Sequence, residues 1–274
     1  MITTPIQYYG GKVRMADFII SLFPPHKTYV EVFGGSGAVL FAKPRSDFEI
    51  YNDIDADLVN LFQTIRGDES NKLFAMLTNT LTSRAEFYAA IAMKKARNYK
   101  NTIERAWMTF VIYNQSISAT GRGWAHGRQS RKPAAFAARV LALDKMRERL
   151  QHVQIENSSF HYILETYDHE DTLFYLDPPY TRGSRSDTAK KQYQHEMNPL
   201  DHEQLIDDCL KLRGNVILSG YETETYKPLE DAGWSKLSLS ISCHAATQTE
   251  LTRTETLWYK TLAPTQLSFT LDDS

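Results

Sequence analysis

The order of apolar and polar positions divides the chain into three stretches. In the first, short apolar runs without helical period alternate with helical patterns, as strands and helices do when they take turns. An amphipathic helix over 16–23 stops at Pro24-Pro25. A strand over 28–33 runs into Gly34-Gly35-Ser36-Gly37 and then a helical run over 38–42. A second strand, 48–51, ends at Asn52-Asp53, and Asp55 is placed to cap the helix that follows.

After Arg66-Gly67 the texture changes. Residues 70–112 and 134–150 read as helices, carried by Leu73-Phe74-Leu77, Phe87-Tyr88-Ile91 and Trp107-Phe110-Val111. Between them the segment 114–133 has no clear period, and loops of that length in a compact domain are usually functional or disordered. The alternation then resumes. A strand over 153–156 leads to Ser158-Ser159-Phe160 opening a helix, and 172–176 is a buried strand. Residues 181–198 are polar and have the length of a flap. Asp201 with Gln204 resembles a capping box at a helix start, 216–219 is another buried strand, and 235–242 and 254–260 alternate as a closing antiparallel pair. The pattern predicts an α/β, Rossmann-like sheet split by a helical insertion. The sheet unit takes 1–66 and 151–262, the insertion 67–150 with a basic loop at 114–133, and 263–274 is a tail.

Composition narrows the class. With 42% hydrophobic and 23% charged residues over 274 positions, the chain reads as globular. No run approaches eighteen apolar residues, and the first residues lack the basic and apolar regions of a secretory signal. No membrane partner and a cytoplasmic location are therefore expected. Cys209 and Cys243 form no CxxC and read as reduced thiols. The eight histidines include no HExxH, so no metal is expected. The net charge of −2 hides a strong asymmetry: 84–149 holds 14 Lys+Arg against 4 Asp+Glu, while 150–274 holds 10 against 20. A basic middle between acidic flanks is an electrostatic footprint for a polyanion. A set of solvated helix faces would mix the two signs.

The candidate chemistry sits at strand ends. The loop Gln7-Tyr8-Tyr9-Gly10-Gly11-Lys12 lets backbone approach a ligand, and Lys12 can meet a carboxylate. Strand, glycine loop and helix make a nucleotide-binding start. Leu40 stands where the dinucleotide pattern beginning at Gly35 needs its third glycine, so a pyrophosphate cradle is disfavoured. An acid ending the second strand, Asp53, suits a ribose diol. The strand over 172–176 ends in Asp177-Pro178-Pro179-Tyr180. Prolines have fixed φ and no N–H, so the Asp177 carboxylate and a proline carbonyl project as a rigid acceptor pair beside an aromatic face. That pair suits a planar base bearing an exocyclic amine. Two acceptors on the amine hydrogens localise its lone pair for attack. Read more plainly, the tetrapeptide is a proline-rich turn after a strand. In the basic segment, arginines interleave with Trp124, His126 and Gln129, as in contacts to base edges and phosphates.

Taken in order, the Gly-Gly-Lys loop, the Phe-x-Gly-x-Gly loop, a basic segment and Asp-Pro-Pro-Tyr resemble the Dam-type DNA adenine N6-methyltransferases over about 1–262. The resemblance implies a class I methyltransferase sheet with an inserted helical DNA-recognition domain. It also implies S-adenosylmethionine as cofactor, double-stranded DNA as partner, and transfer to N6 of a flipped-out adenine. The catalytic residues it implies are Asp177, Pro178, Pro179 and Tyr180. The cofactor set is Tyr8, Gly10, Gly11, Lys12, Glu31, Phe33, Gly34, Gly35, Gly37, Asp53, Ile54, Ser159 and Phe160, with Asp177 shared. The DNA-binding candidates are Arg122, Trp124, Arg128, Gln129, Arg131, Lys132 and, from the flap, Arg185. Gln7-Tyr8 and the segment 114–132 depart from well-known members, so no target sequence is implied. Methylation of cytosine N4 or of RNA, a nicotinamide-dependent oxidoreductase, and a DNA-binding module without catalysis remain as alternatives.

Overall fold

The computed structural model describes residues 4–8, 12–127, 131–179, 197–244 and 250–261, with backbone alone at 240–244 and 250–253. A short 3-10 turn at Lys12–Arg14 leads into α1 (Ala16–Ser21), β1 (Thr28–Glu31), α2 (Ala38–Ala42), β2 (Phe48–Asn52) and α3 (Ala56–Arg66). The helical stretch follows as α4 (Ser70–Thr78), α5 (Arg84–Ala96), α6 (Thr102–Gln115), α7 (Lys132–Leu141) and α8 (Leu143–Leu150). Then come β3 (Val153–Glu156), α9 (Phe160–Tyr167), β4 (Thr172–Leu176), α10 (Pro199–Lys211), β5 (Asn215–Gly220), α11 (Lys227–Asp231), β6 (Ser235–His244) and β7 (Glu250–Lys260). Among the described residues no helix is long and apolar enough to cross a membrane.

The strands form one seven-stranded sheet in the order β3-β2-β1-β4-β5-β7-β6. The first five are parallel, while β7 runs antiparallel to both β5 and β6. Every residue of β4 and β5 is buried, and the apolar runs 173–176 and 216–218 show no polar-out alternation. The chain winds outward from β1 through β2 to β3, then returns to place β4 on the other side of β1. This reversal makes a crevice at the carboxyl ends of β1 and β4, where open α/β sheets bind ligands.

The helices expected over 70–112 and 134–150 are α4 to α8, and the three apolar clusters of the first stretch fall on α4, α5 and α6. Ser83 and Asn101 each accept a backbone N–H of the following first turn, from Glu86 and Glu104, and so start α5 and α6 afresh. The positions 106–115 of α6 are all buried, and this helix packs on α3 and α5. It also continues into the segment expected to be irregular. The reason is local: the Asn114 amide donates to Pro5 O (3.0 Å) and accepts from the Gln7 N–H (3.3 Å). Gln115 does the same with Leu81 O and the Ser83 N–H. Beyond Gln115 the segment is compact through Ala125, closed by a Ser116–Trp124 bridge around a 3-10 turn at Ile117–Ala119. At its other end α7 begins at Lys132, with Pro133 in its first turn.

A second correction concerns α10, which begins earlier than Asp201 with Gln204 suggests. Asn198 is the cap, accepting the Asp201 N–H while the Asp201 carboxylate accepts the Asn198 N–H, and Pro199 opens the helix. Asparagine followed by proline supplies a cap and a preset φ, which outcompete a start three residues later.

The last helix of the stretch is bolted to the sheet. Glu49 of β2 takes both guanidinium nitrogens of Arg149 and the Lys43 ammonium, and Arg149 also donates to Leu40 O (2.9 Å). Burial pushes the Glu49 carboxyl up, but hydrogen bonds and charge from Arg149 and Lys43 outweigh it and hold it below its usual range.

Candidate active site

The site is built on three strand ends. After β1 the chain turns through Gly34-Gly35-Ser36-Gly37. A side chain at Gly34 would put its Cβ 2.1 Å from the Tyr51 ring, so only glycine fits there. The Gly35 peptide is fixed from several sides. Its φ is +50°, its N–H donates to Asp53 Oδ2 (2.7 Å), and its carbonyl accepts from Tyr51 Oη (2.8 Å). The Tyr8 ring lies over it, 3.2 Å from where a Cβ would stand. Gly37, with φ +69°, starts α2.

The acids behind this loop are shifted by burial. Glu31 accepts from Tyr29 Oη and the Leu40 N–H, both at 2.8 Å, and therefore supports the loop from within the core. Burial pushes its carboxyl up to about 8. Asp53, at the end of β2, also accepts the Asp55 N–H (2.7 Å), and burial raises it to about 6 against the pull of these amides. Asp55 caps α3 through the Asp57 N–H, as its position in the sequence suggests. Asn52 ties the two sides of the crevice together, donating to Val32 O and Ser158 O and accepting the Ser158 N–H. Ser159 caps α9 through the Tyr162 N–H, which brings the Phe160 ring 5.9 Å from Phe33. Ile54 is 51% exposed, an apolar side chain presented to solvent beside Asp53.

Across the crevice, β4 delivers Asp177 two residues beyond the Glu31–Tyr175 pair. Lys12 Nζ reaches Asp177 Oδ1 at 2.7 Å and Glu255 Oε1 of β7 at 3.1 Å. Burial would lower the Lys12 ammonium, but the charges of Asp177 and Glu255 outweigh it and hold it above its usual range. Glu255 also accepts from Ser219 Oγ (2.9 Å) at the end of β5. Each carboxylate oxygen has two acceptor sites, so Asp177 can hold Lys12 and still accept from a substrate amine. The Pro179 carbonyl meets His202 Nε2 of α10 at 3.0 Å.

Sequence reading placed Lys12 opposite a carboxylate but named neither partner. It missed Glu255, Ser219, His202, Asn52 and Tyr51. Two of these carried a signal: Glu255 is an acid on an inward position of a strand, and His202 shares the apolar face of α10 with Leu205, Ile206 and Cys209. Gly10, Gly11, Tyr180 and Arg185 lie outside the described residues, as do Arg128, Gln129 and the flap as far as residue 196.

Of the basic segment, Arg122 and Arg131 are exposed. Trp124 stacks near His126 (5.7 Å), with the Arg84 guanidinium 5.0 Å from its ring, a partner the sequence did not reveal. Lys132 is half-buried and donates to Gln7 Oε1. Burial pushes the Cys209 thiol up, consistent with an inert core position. Among the described residues no cluster of His, Cys, Asp or Glu could hold a metal ion.

A parallel sheet with a glycine loop at the reversal and an Asp-Pro-Pro end on the neighbouring strand defines a nucleotide-type crevice facing a rigid set of hydrogen-bond acceptors. The chain matches the D12 class N6 adenine-specific DNA methyltransferase family over residues 8–238 and belongs to it. It is similar to the type II methyltransferase M.FokI of Planomicrobium okeanokoites, 26% identical over 258 residues, which are 86% of this chain and 38% of that protein. The type II methyltransferase M.MjaIII of Methanocaldococcus jannaschii is 24% identical over 76% of this chain and 79% of its own length. The type II methyltransferase M.CviBI of Paramecium bursaria Chlorella virus NC1A is 22% identical over 64% and 68%. The chain thus spans well under half of M.FokI and most of the other two.

Proposed function

We propose that the chain is a site-specific DNA methyltransferase that moves a methyl group from S-adenosylmethionine to N6 of an adenine flipped out of double-stranded DNA. The observation that carries this reading is Asp177-Pro178-Pro179 at the end of β4, facing the glycine loop at the end of β1, in a chain of this family. The crevice fits an adenosine-bearing cofactor. The glycine loop keeps its backbone close to the crevice beneath the Tyr8 ring, Asp53 offers an acid for the ribose, and Ile54, Phe33 and Phe160 offer apolar faces for the base. When bound, S-adenosylmethionine supplies an electrophilic methyl group. Asp177 and a proline carbonyl accept the two amine hydrogens, which localises the lone pair on N6. Lys12 holds the Asp177 carboxylate in place through a 2.7 Å ion pair. Tyr180 stacks on the flipped base.

In the same reading the helices of 67–150 form the recognition unit. Exposed Arg122 and Arg131, with Trp124, are its DNA-contact candidates, and Arg128, Gln129 and, from the flap, Arg185 are candidates outside the described residues. Lys132 serves more as a tie to Gln7 than as a free phosphate contact.

The test is transfer of tritium from methyl-labelled S-adenosylmethionine to unmethylated duplex DNA, followed by digestion to nucleosides. Label in N6-methyladenine is expected. Label in N4-methylcytosine, or in RNA alone, would move the substrate, and no transfer at all would sink the reading. Base-resolution sequencing of the product gives the target site.

A further inference from the structure

The catalytic turn has no backbone donor of its own at its two prolines, so whatever fixes its direction must come from elsewhere. One buried side chain supplies that donor. His202 of α10 is fully buried, and its Nε2 lies 3.0 Å from Pro179 O. A carbonyl only accepts, so Nε2 carries the proton. The other ring nitrogen, Nδ1, lies 3.0 Å from Tyr226 Oη, which donates to it. Both nitrogens of one neutral tautomer are thereby used.

Tyr226 is held in turn. Its ring stacks on Trp258 of β7, with centroids 4.6 Å apart and planes at 26°. Gly220, the last residue of β5, makes room: a Cβ there would stand 3.3 Å from both rings. Burial, with Asp177 and Cys209 adding, pushes the Tyr226 phenol well above its ordinary range, so it remains a donor. A chain of contacts thus runs from β7 and the end of β5, through α10, to the turn after β4.

Building on the methyltransferase reading, we propose that His202, with its tautomer set by Tyr226, is a positioning residue for the catalytic turn. Its hydrogen bond directs the Pro179 carbonyl at α10 and so fixes the orientation of that carbonyl. The amine is left to Asp177 and the Pro178 carbonyl.

The test compares His202→Leu, His202→Gln and Tyr226→Phe in the full chain. His202→Leu removes the donor, and kcat should fall about 10- to 100-fold, as expected for a misplaced reacting group. S-adenosylhomocysteine affinity, measured by calorimetry, should stay within about twofold because the donor's loss acts on the turn. His202→Gln can still donate to Pro179 O and should recover most of kcat. Tyr226→Phe should lower kcat by less and allow the second tautomer. Nitrogen-15 NMR of the histidine rings reads the tautomer without any catalysis. The Nε2–H form at His202 is expected in the wild type, mixed with the Nδ1–H form in Tyr226→Phe. Wild-type kcat in His202→Leu, or His202→Gln no better than His202→Leu, would overturn the proposal. So would an Nδ1–H tautomer in the wild type. If the wild type transfers no methyl group, the functional reading fails, and the NMR result still decides whether the relay exists.

Discussion

Two buried ion clusters in this molecule are mirror images in charge. At the site, one cation, Lys12, sits between two acids, Asp177 and Glu255. Under the helical insertion, one acid, Glu49, sits between two cations, Lys43 and Arg149. The second cluster is sealed: the Glu49 side chain is 1% exposed, and Arg149 spends a further donor on Leu40 O. The first is open at one corner, because Asp177 is 20% exposed while Lys12 is 5%. A sealed cluster with every group answered joins parts of a fold. An open one with surplus acceptor capacity can receive a donor from outside. The difference between anchor and site lies in which sign is in excess and whether water, or a ligand, can reach it.

The contrast can be broken most forcefully at its closed end. Glu49→Ala leaves two buried cations without their acid and should cost about 3–5 kcal/mol of stability, the usual penalty for halving a buried pair. Urea unfolding reads the loss, and activity per folded molecule should be retained. At the open end, Asp177→Ala should lower kcat by about 10²–10³-fold, as when a preorganised electrostatic contact is removed. Its unfolding midpoint should change little. If Asp177→Ala unfolded the protein and Glu49→Ala silenced it, the two clusters would have been assigned the wrong way round.

Glu31 lies between the clusters and feels both, raised by Asp177 and lowered by Lys43, with burial the largest influence. Its folded pKa of about 8 stands above the ordinary 4.5, so in that window the native state holds more protons than the unfolded chain. Its contribution to stability therefore declines as pH rises from 4.5 to about 8 and levels off beyond. Glu31→Gln removes this slope. Relative to wild type it should gain on the order of 4 kcal/mol between about pH 5 and about pH 8.5, read as the difference in urea midpoints. An unchanged difference across that range would show that Glu31 is ionised throughout. The smallest effect is expected of Glu255→Gln. It frees Lys12 to serve Asp177 alone and should change kcat by roughly fivefold, about 1 kcal/mol.

The fold was legible where one residue type decides the outcome. β4 and β5 carry the unbroken apolar runs Leu173-Phe174-Tyr175-Leu176 and Val216-Ile217-Leu218, and only a strand buried on both faces needs that. Asp-Pro-Pro and the glycine loop were legible because proline and glycine constrain the backbone whatever surrounds them. The helix boundaries near 114 and 198 were misread because single amides decided them. Asn114 continues α6 by holding a segment more than a hundred residues away, which no local window contains. The partners of the site were hidden for the same reason. A lone glutamate in β7 or a histidine on α10 acquires meaning only from what the sheet brings beside it.

The strand that completes the site is made last among these elements and yet sits inside the sheet, between β5 and β6. During synthesis β6 leaves the ribosome before the strand it pairs with among the described residues, β7, has been made. Lys12 emerges well before Asp177, which follows 165 residues later. Glu255 arrives only with β7. The nascent chain can therefore close its glycine loop and its helical insertion early. It cannot complete the charge arrangement of the site until β7 slides in, so an interrupted product would look largely folded while its Lys12 lacked Glu255.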